Sequence, residues 1–147
     1  MHLTVRFIGH VDDTRTAAVL GALRPPLPVP PFDIELGSCG VFPASGSPRV
    51  LWIGLSAGAG SLGAMHDEFN RRLRPLGYDP EDRPFNVHLT LARFKTPPRG
   101  SGAAVREAAR AVMPSRARCS VAYATVFQSI LSPKGPKYHP LLTVECE

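Results

Sequence analysis

The stretch Arg83-Pro84-Phe85-Asn86-Val87-His88-Leu89-Thr90-Leu91-Ala92-Arg93 decides how the rest of the chain is read. In an extended strand side chains alternate between faces, so His88 and Thr90 project to one side and Val87, Leu89 and Leu91 to the other. A buried apolar face fixes the register, because a slip of one residue would turn the imidazole and the hydroxyl into the core. A near copy of the centre stands at the start of the chain as His2-Leu3-Thr4-Val5. There His2 and Thr4 share one face, with Leu3, Val5 and Phe7 on the other. Each copy is followed by an arginine and a phenylalanine, Arg6-Phe7 and Arg93-Phe94.

Outward from these two strands, the pattern reads β-α-β-β-α-β-α-β-β. Residues 2 to 8 alternate as a strand that Gly9 ends, and Asp12 or Asp13 caps a helix whose inner face is Thr16, Val19, Leu20 and Leu23. Arg24-Pro25-Pro26-Leu27-Pro28-Val29-Pro30-Pro31 cannot continue a helix and favours an extended polyproline path. Its P-x-x-P spacing suits a docking peptide, but a stiff connector is the simpler role. Phe32, Ile34 and Leu36 alternate as a strand, with Val41-Phe42 continuing it past a Gly-Ser-Cys-Gly break. Val50 to Leu55 reads as a more central strand, and Trp52 in it as core, with an aromatic platform for a base as the lesser alternative.

Ser61 is placed to cap a helix carrying Leu62, Met65, Phe69, Leu73 and Leu76 at helical spacing, stopped by Gly77. Arg71, Arg72 and Arg74 fall on its other faces, as solvated charge. Past Pro97-Pro98, Ser101 can cap a third helix with Val105, Ala108, Ala109 and Val112 inward, ended by Pro114. One or two strands over 118 to 131, a loop around Lys134 and a last strand from Tyr138 to Glu145 complete an α+β chain with antiparallel pairing. The duplicated strand implies two pseudo-symmetric halves.

With 147 residues, 44% of them hydrophobic and 20% charged, the chain suits one domain, 1–147, possessing a real core. Seventeen Lys and Arg against twelve Asp and Glu give a net charge of +5, which favours a polyanionic partner without identifying one. Cys39, Cys119 and Cys146 are odd in number, far apart and lack C-x-x-C spacing, which argues for reduced thiols and against a disulfide framework or a zinc site. No apolar run approaches the roughly 20 residues of a membrane span, and no signal-peptide pattern opens the chain. The expectation is a cytoplasmic monomer with no membrane and no obligate protein partner.

Two histidines on equivalent strands suit a reaction needing an acid and a base on opposite sides of one atom. An unperturbed imidazole titrates at roughly 6.5, so one ring can accept a proton while the other donates one. The threonine hydroxyls, two residues on, can stabilise non-bridging phosphate oxygens. In-line displacement at phosphorus has these needs, and the scheme requires no metal and no cofactor. One His-x-Thr is a chance event in many proteins; two copies, each followed by Arg and Phe, are a sharper signal. His10, His66 and His139 have no threonine at that offset and receive no role.

The chain resembles the 2H phosphoesterase superfamily, specifically the RNA 2′,3′-cyclic phosphodiesterases of the 2′-5′ RNA ligase family. The resemblance rests on His2 to Gly9, Val50-Leu51-Trp52, and Arg83-Pro84-Phe85 leading into His88 to Arg93. It implies an α+β fold of two pseudo-symmetric lobes of antiparallel sheet, helices outside and a cleft between, with the first lobe lacking its usual N-terminal strand and helix. It further implies His2 as proton donor to the leaving ribose oxygen, His88 as the acceptor that activates water, and Thr4 and Thr90 as phosphate holders. Arg93 matches an arginine placed near the phosphate, although strict alternation puts it on the face opposite His88, from which a bulge or a strand end could redirect it. The implied reaction is metal-independent hydrolysis of an RNA 2′,3′-cyclic phosphate end to a 2′-phosphomonoester, with minor 2′-5′ ligation as its reverse. The alternative is a non-catalytic protein that binds RNA ends.

Overall fold

The computed structural model describes residues 2–81, 84–96, 100–112, 117–133 and 135–147. In chain order these form α1 (Asp13–Leu23), β1 (Phe32–Phe42), β2 (Val50–Ala57), α2 (Ala59–Leu73), a 3-10 turn (Arg74–Leu76), β3 (Leu89–Arg93), α3 (Gly102–Ala111), β4 (Arg118–Val121), β5 (Tyr123–Ile130) and β6 (Lys137–Glu145). The α+β class with antiparallel pairing is as the sequence implied. Arg83, Pro97-Pro98, Pro114 and Lys134 lie outside the described residues.

The chain divides into two compact units. The first comprises Met1–Val5, Asp33–Leu62 and Phe85–Cys119, and the second Arg6–Phe32, Gly63–Pro84 and Ser120–Glu147.

A sheet in the order β3-β2-β1-β4 organises the first unit, and β2 pairs antiparallel with both β1 and β3. Partners across an antiparallel ladder share a face. Val41 opposite Leu51 and Cys39 opposite Ile53, itself opposite Leu89, therefore form one apolar face. Val105 and Ala109 of α3 complete the core on that side. Strand β1 runs unbroken through Gly37-Ser38-Cys39-Gly40, where a break was expected. Register shifts on either side of Leu36 absorb the irregularity, so the glycines bend the strand rather than end it.

In the second unit β5 and β6 pair antiparallel. Asp12 caps α1 as expected, its carboxylate accepting the Arg15 N–H at 2.9 Å. The buried stripe Met65, Phe69 and Leu73 of α2 also follows the sequence. That helix starts at Ala59 rather than after Ser61, its first turn closed by Leu62 N–H donating to the Gly58 carbonyl at 3.1 Å. The proline-rich stretch is a connector: Leu27 is fully buried, its N–H donates to Glu145 O at 2.8 Å, and its carbonyl accepts from Glu147 N–H at 2.9 Å.

Two further expectations fail. No strand forms over residues 2 to 8, which carry no ladder. A strand has no stability without a neighbour for its N–H and C=O groups, and the alternation breaks where the chain passes between units. His2 and Thr4 are exposed and Leu3 and Val5 half-buried, as predicted, but Phe7 is 66% exposed. Arg6 turns inward instead: its side chain is 6% exposed, pairs with Glu81 at 3.5 Å and donates to the Asp79 carbonyl.

The second failure is Arg72, which is not solvated charge. Its side chain is 7% exposed and its guanidinium donates to the carbonyls of Leu23 at 3.2 Å, Pro26 at 2.6 Å and also Pro25. It closes the chain ends left by α1 and the polyproline path. Glu68 ties the clamp together, accepting from Arg72 Nε at 2.6 Å and from Arg71 at 2.7 Å. The hydrogen bonds of Arg71 first, and then Arg72, outweigh burial and hold the Glu68 carboxyl at about 2, from an ordinary 4.5.

A carboxyl depressed by folding stabilises the native state fully above its unfolded value and loses that contribution as pH falls toward its folded value. Urea denaturation should accordingly show Glu68-dependent stability draining away as pH drops from 4.5 to about 2, and Glu68→Gln should flatten that slope. Arg72→Ala, which leaves three carbonyls without their donor while Arg71 still holds Glu68, should cost about 2 kcal/mol at neutral pH in the same assay.

Candidate active site

The site is assembled on the face of the first-unit sheet opposite its core. Trp52 lies opposite Thr90 across β2 and β3, and opposite Gly40 across β2 and β1. Thr90, Trp52 and Gly40 therefore share a face, with Phe42 opposite Val50 two residues along. His88 stands just ahead of β3, which starts at Leu89. Its ring meets Phe42 edge-on, centroids 5.2 Å apart at 82°, and lies 6.5 Å from the indole of Trp52. Phe42 and Trp52 are themselves 5.2 Å apart. Two aromatic rings thus fence the imidazole on the polar side of the sheet.

The proton of His88 is placed by its neighbour. Its Nδ1 lies 2.7 Å from the Asn86 carbonyl oxygen. A carbonyl can only accept, so Nδ1 carries the hydrogen and the neutral ring offers its Nε2 lone pair as a base.

Arg93 is resolved by the register. Val50 lies opposite Arg93 and Leu51 opposite Ala92, but Trp52 lies opposite Thr90, with the shift falling between Leu51 and Trp52. Leu91 is the extra residue, a one-residue bulge on β3. Val50 and Trp52 share a face of β2, so the bulge carries Arg93 onto the face of Thr90. Strict alternation would have sent it to the core side. Leu91 is correspondingly 44% exposed, although the sequence pattern put it in the core.

His2 and Thr4 belong to the same compact unit as His88, Thr90 and Arg93, and both are exposed. They come from the segment without a ladder, so no strand aims them as β3 aims Thr90. Among the described residues no group of three His, Cys, Asp or Glu side chains is placed to hold a metal ion. No disulfide joins Cys39, Cys119 and Cys146.

Sequence reading missed two parts of the site. Phe42 is only the end of an alternating strand when read alone. The position of Trp52 depends on Gly40: a Cβ there would sit 2.3 Å from the indole ring, so only glycine lets the ring lie over β1. A glycine inside a strand was the available signal of such a close approach. Trp52 is half-buried on the His88 face rather than in the core cluster, and its indole nitrogen is buried with no hydrogen-bond partner among the described residues.

The family model for the 2′-5′ RNA ligase superfamily matches residues 1–127. An RNA 2′,3′-cyclic phosphodiesterase of Aeropyrum pernix is 37% identical over 98% of this chain and 81% of its own length. Its namesake from Archaeoglobus fulgidus is 33% identical over 99% of this chain and 79% of its own. A crystal structure from Thermus thermophilus superposes with a TM-score of 0.73 at 27% identity, covering 98% of this chain and 76% of that one. Escherichia coli LigT, solved with 3′-AMP, shares the fold at 23% identity and a TM-score of 0.69, over 99% of this chain and 76% of its own.

Gly40→Ala should push the indole off β1. Since Trp52 is the sole tryptophan, its emission should shift to the red while far-ultraviolet circular dichroism stays unchanged. An unmoved spectrum would contradict the packing described.

Proposed function

Because the chain belongs to the 2′-5′ RNA ligase superfamily, we propose that it hydrolyses RNA 2′,3′-cyclic phosphate ends to 2′-phosphomonoesters. The observation that carries this reading is the His88 ring, with Nδ1–H given to Asn86 and Nε2 left as the basic nitrogen, beside a strand that turns Thr90 and Arg93 to one face. The curated relatives at 37% and 33% identity bear the corresponding activity in their names.

In this mechanism His88 Nε2 takes a proton from water as its oxygen attacks phosphorus. The bond from phosphorus to the ribose 3′ oxygen breaks on the opposite side, and His2 as imidazolium donates the proton that oxygen needs. Thr4 and Thr90 donate hydrogen bonds to the non-bridging oxygens, and Arg93 balances the charge that builds on them. Asn86 has a positioning role, since its carbonyl holds the proton of the neutral His88 ring on Nδ1 and so leaves Nε2 to act as the base. Both proton transfers run through imidazole, so the scheme is metal-independent. With the 5′ hydroxyl of a second strand attacking phosphorus in place of water, the same in-line step joins 2′-5′ ends, a minor path wherever water competes.

The test is incubation with a short RNA ending in a 2′,3′-cyclic phosphate, with and without chelator, and location of the product phosphate. A 2′-phosphate formed in chelator is expected. His88→Ala should lower the rate about 10²- to 10⁴-fold, the usual worth of a positioned base. Undiminished turnover by that variant, or turnover abolished by chelator, would sink the mechanism. Tight binding of the RNA end with no product would make the chain an end-binding protein instead.

A second measurement separates the two histidines. One ring must be neutral and the other charged, so kcat/KM should trace a bell against pH. His2→Asn should remove the alkaline limb and leave the acid limb, and loss of the acid limb instead would exchange the two roles.

A further inference from the structure

Trp52 has a second side. A cavity of about 330 Å³ in the first unit is lined by Trp52, by residues 38–41 of β1 with Ala44, and by two arginines of α3, Arg106 and Arg110. No acidic side chain lines it among the described residues. The two arginines are one helical turn apart, so both face the same opening. Arg106 is fixed in place, donating from Nη1 to the Gly46 carbonyl at 2.9 Å. Arg110 is exposed and makes no hydrogen bond or ion pair among the described residues.

Two guanidiniums without carboxylates beside an aromatic ring have a definite chemical preference. Guanidinium groups grip phosphate through paired N–H donors, and an indole offers a stacking surface to any base. The cavity size falls at the lower end of ordinary small-molecule sites, enough for a phosphate with its sugar. Trp52 is common to this cavity and the candidate active site, since its ring lies 6.5 Å from the ring of His88.

We propose that this cavity binds an upstream phosphodiester of the same RNA strand whose cyclic end sits at His88. Arg106 and Arg110 hold the phosphate, and Trp52 carries the nucleotide between the two points. This deepens the function proposed above and rests on it for the identity of the strand. The consequence is a preference for oligonucleotides over a cyclic mononucleotide, which has no upstream phosphate to offer.

Arg110→Gln is the variant of choice, since no described contact depends on Arg110, and Arg110→Lys keeps the charge while losing the fork. Kinetics should be compared on a hexanucleotide ending in a 2′,3′-cyclic phosphate and on a 2′,3′-cyclic mononucleotide. The ratio of KM values, mononucleotide over hexanucleotide, should fall roughly tenfold in Arg110→Gln, as expected for one charge-assisted hydrogen bond. Arg110→Lys should recover part of it. The slope of log KM against log salt for the hexanucleotide should shrink by about 0.7, one phosphate contact on a single strand. An unchanged ratio and slope, or equal losses on both substrates, would overturn the proposal. Should the wild type hydrolyse neither substrate, the cyclic-end reading fails by itself. Fluorescence anisotropy with a labelled hexanucleotide ending in a 2′-phosphate then decides the cavity: weaker, less salt-dependent binding by Arg110→Gln supports it, and identical binding refutes it.

Discussion

The pairing of β2 with β3 is the constraint on which the site depends. Ile53 opposite Leu89 pins the strand to the core, and Trp52 opposite Thr90 faces the threonine the other way. Leu91 then drops out of register, so Arg93 comes round to the side of Thr90. One short strand meets two opposing demands: an apolar anchor on one side, and His88, Thr90 and Arg93 together on the other. A regular ladder of the same residues would have kept the anchor and lost the arginine.

The two compact units use different physical means. In the first, order comes from side-chain packing across a sheet, with Cys39, Val41, Ile53 and Ala109 buried together. In the second, apolar helix stripes are supplemented by buried charge: Arg72 and Glu68 bind each other, and Arg72 ties down the carbonyls that α1 and the proline-rich path leave open. Such a clamp gains its value from the hydrogen bonds it completes rather than from the ion pair alone, because desolvation offsets much of the attraction. Arg6 is a second inward-facing cation, held by Glu81 and a main-chain carbonyl.

Much of this was legible in the residue order because burial imposes periodicity. The stripes of α1 and α2, the alternating strands and the His88 and Thr90 face all follow from it. What stayed hidden depended on partners distant in sequence. The segment from His2 to Ile8 has strand periodicity but no neighbouring strand, and periodicity cannot supply one. The bulge at Leu91 is set by the register against Val50 and Trp52, which no local pattern encodes. Arg72 looks like any helix-surface arginine until the carbonyls of Leu23, Pro25 and Pro26 are brought beside it.

The contact between Gly40 and Trp52 has a bearing on how such a chain can change over time. A ring lying against a bare Cα makes the two positions a single inherited trait: the glycine is free to acquire a side chain only in a lineage that has already given up the indole. The large residue is the permissive one and the smallest is the captive. A survey of relatives for the accompanying glycine would therefore report on the aromatic wall beside His88 even where the tryptophan itself had been exchanged for another ring.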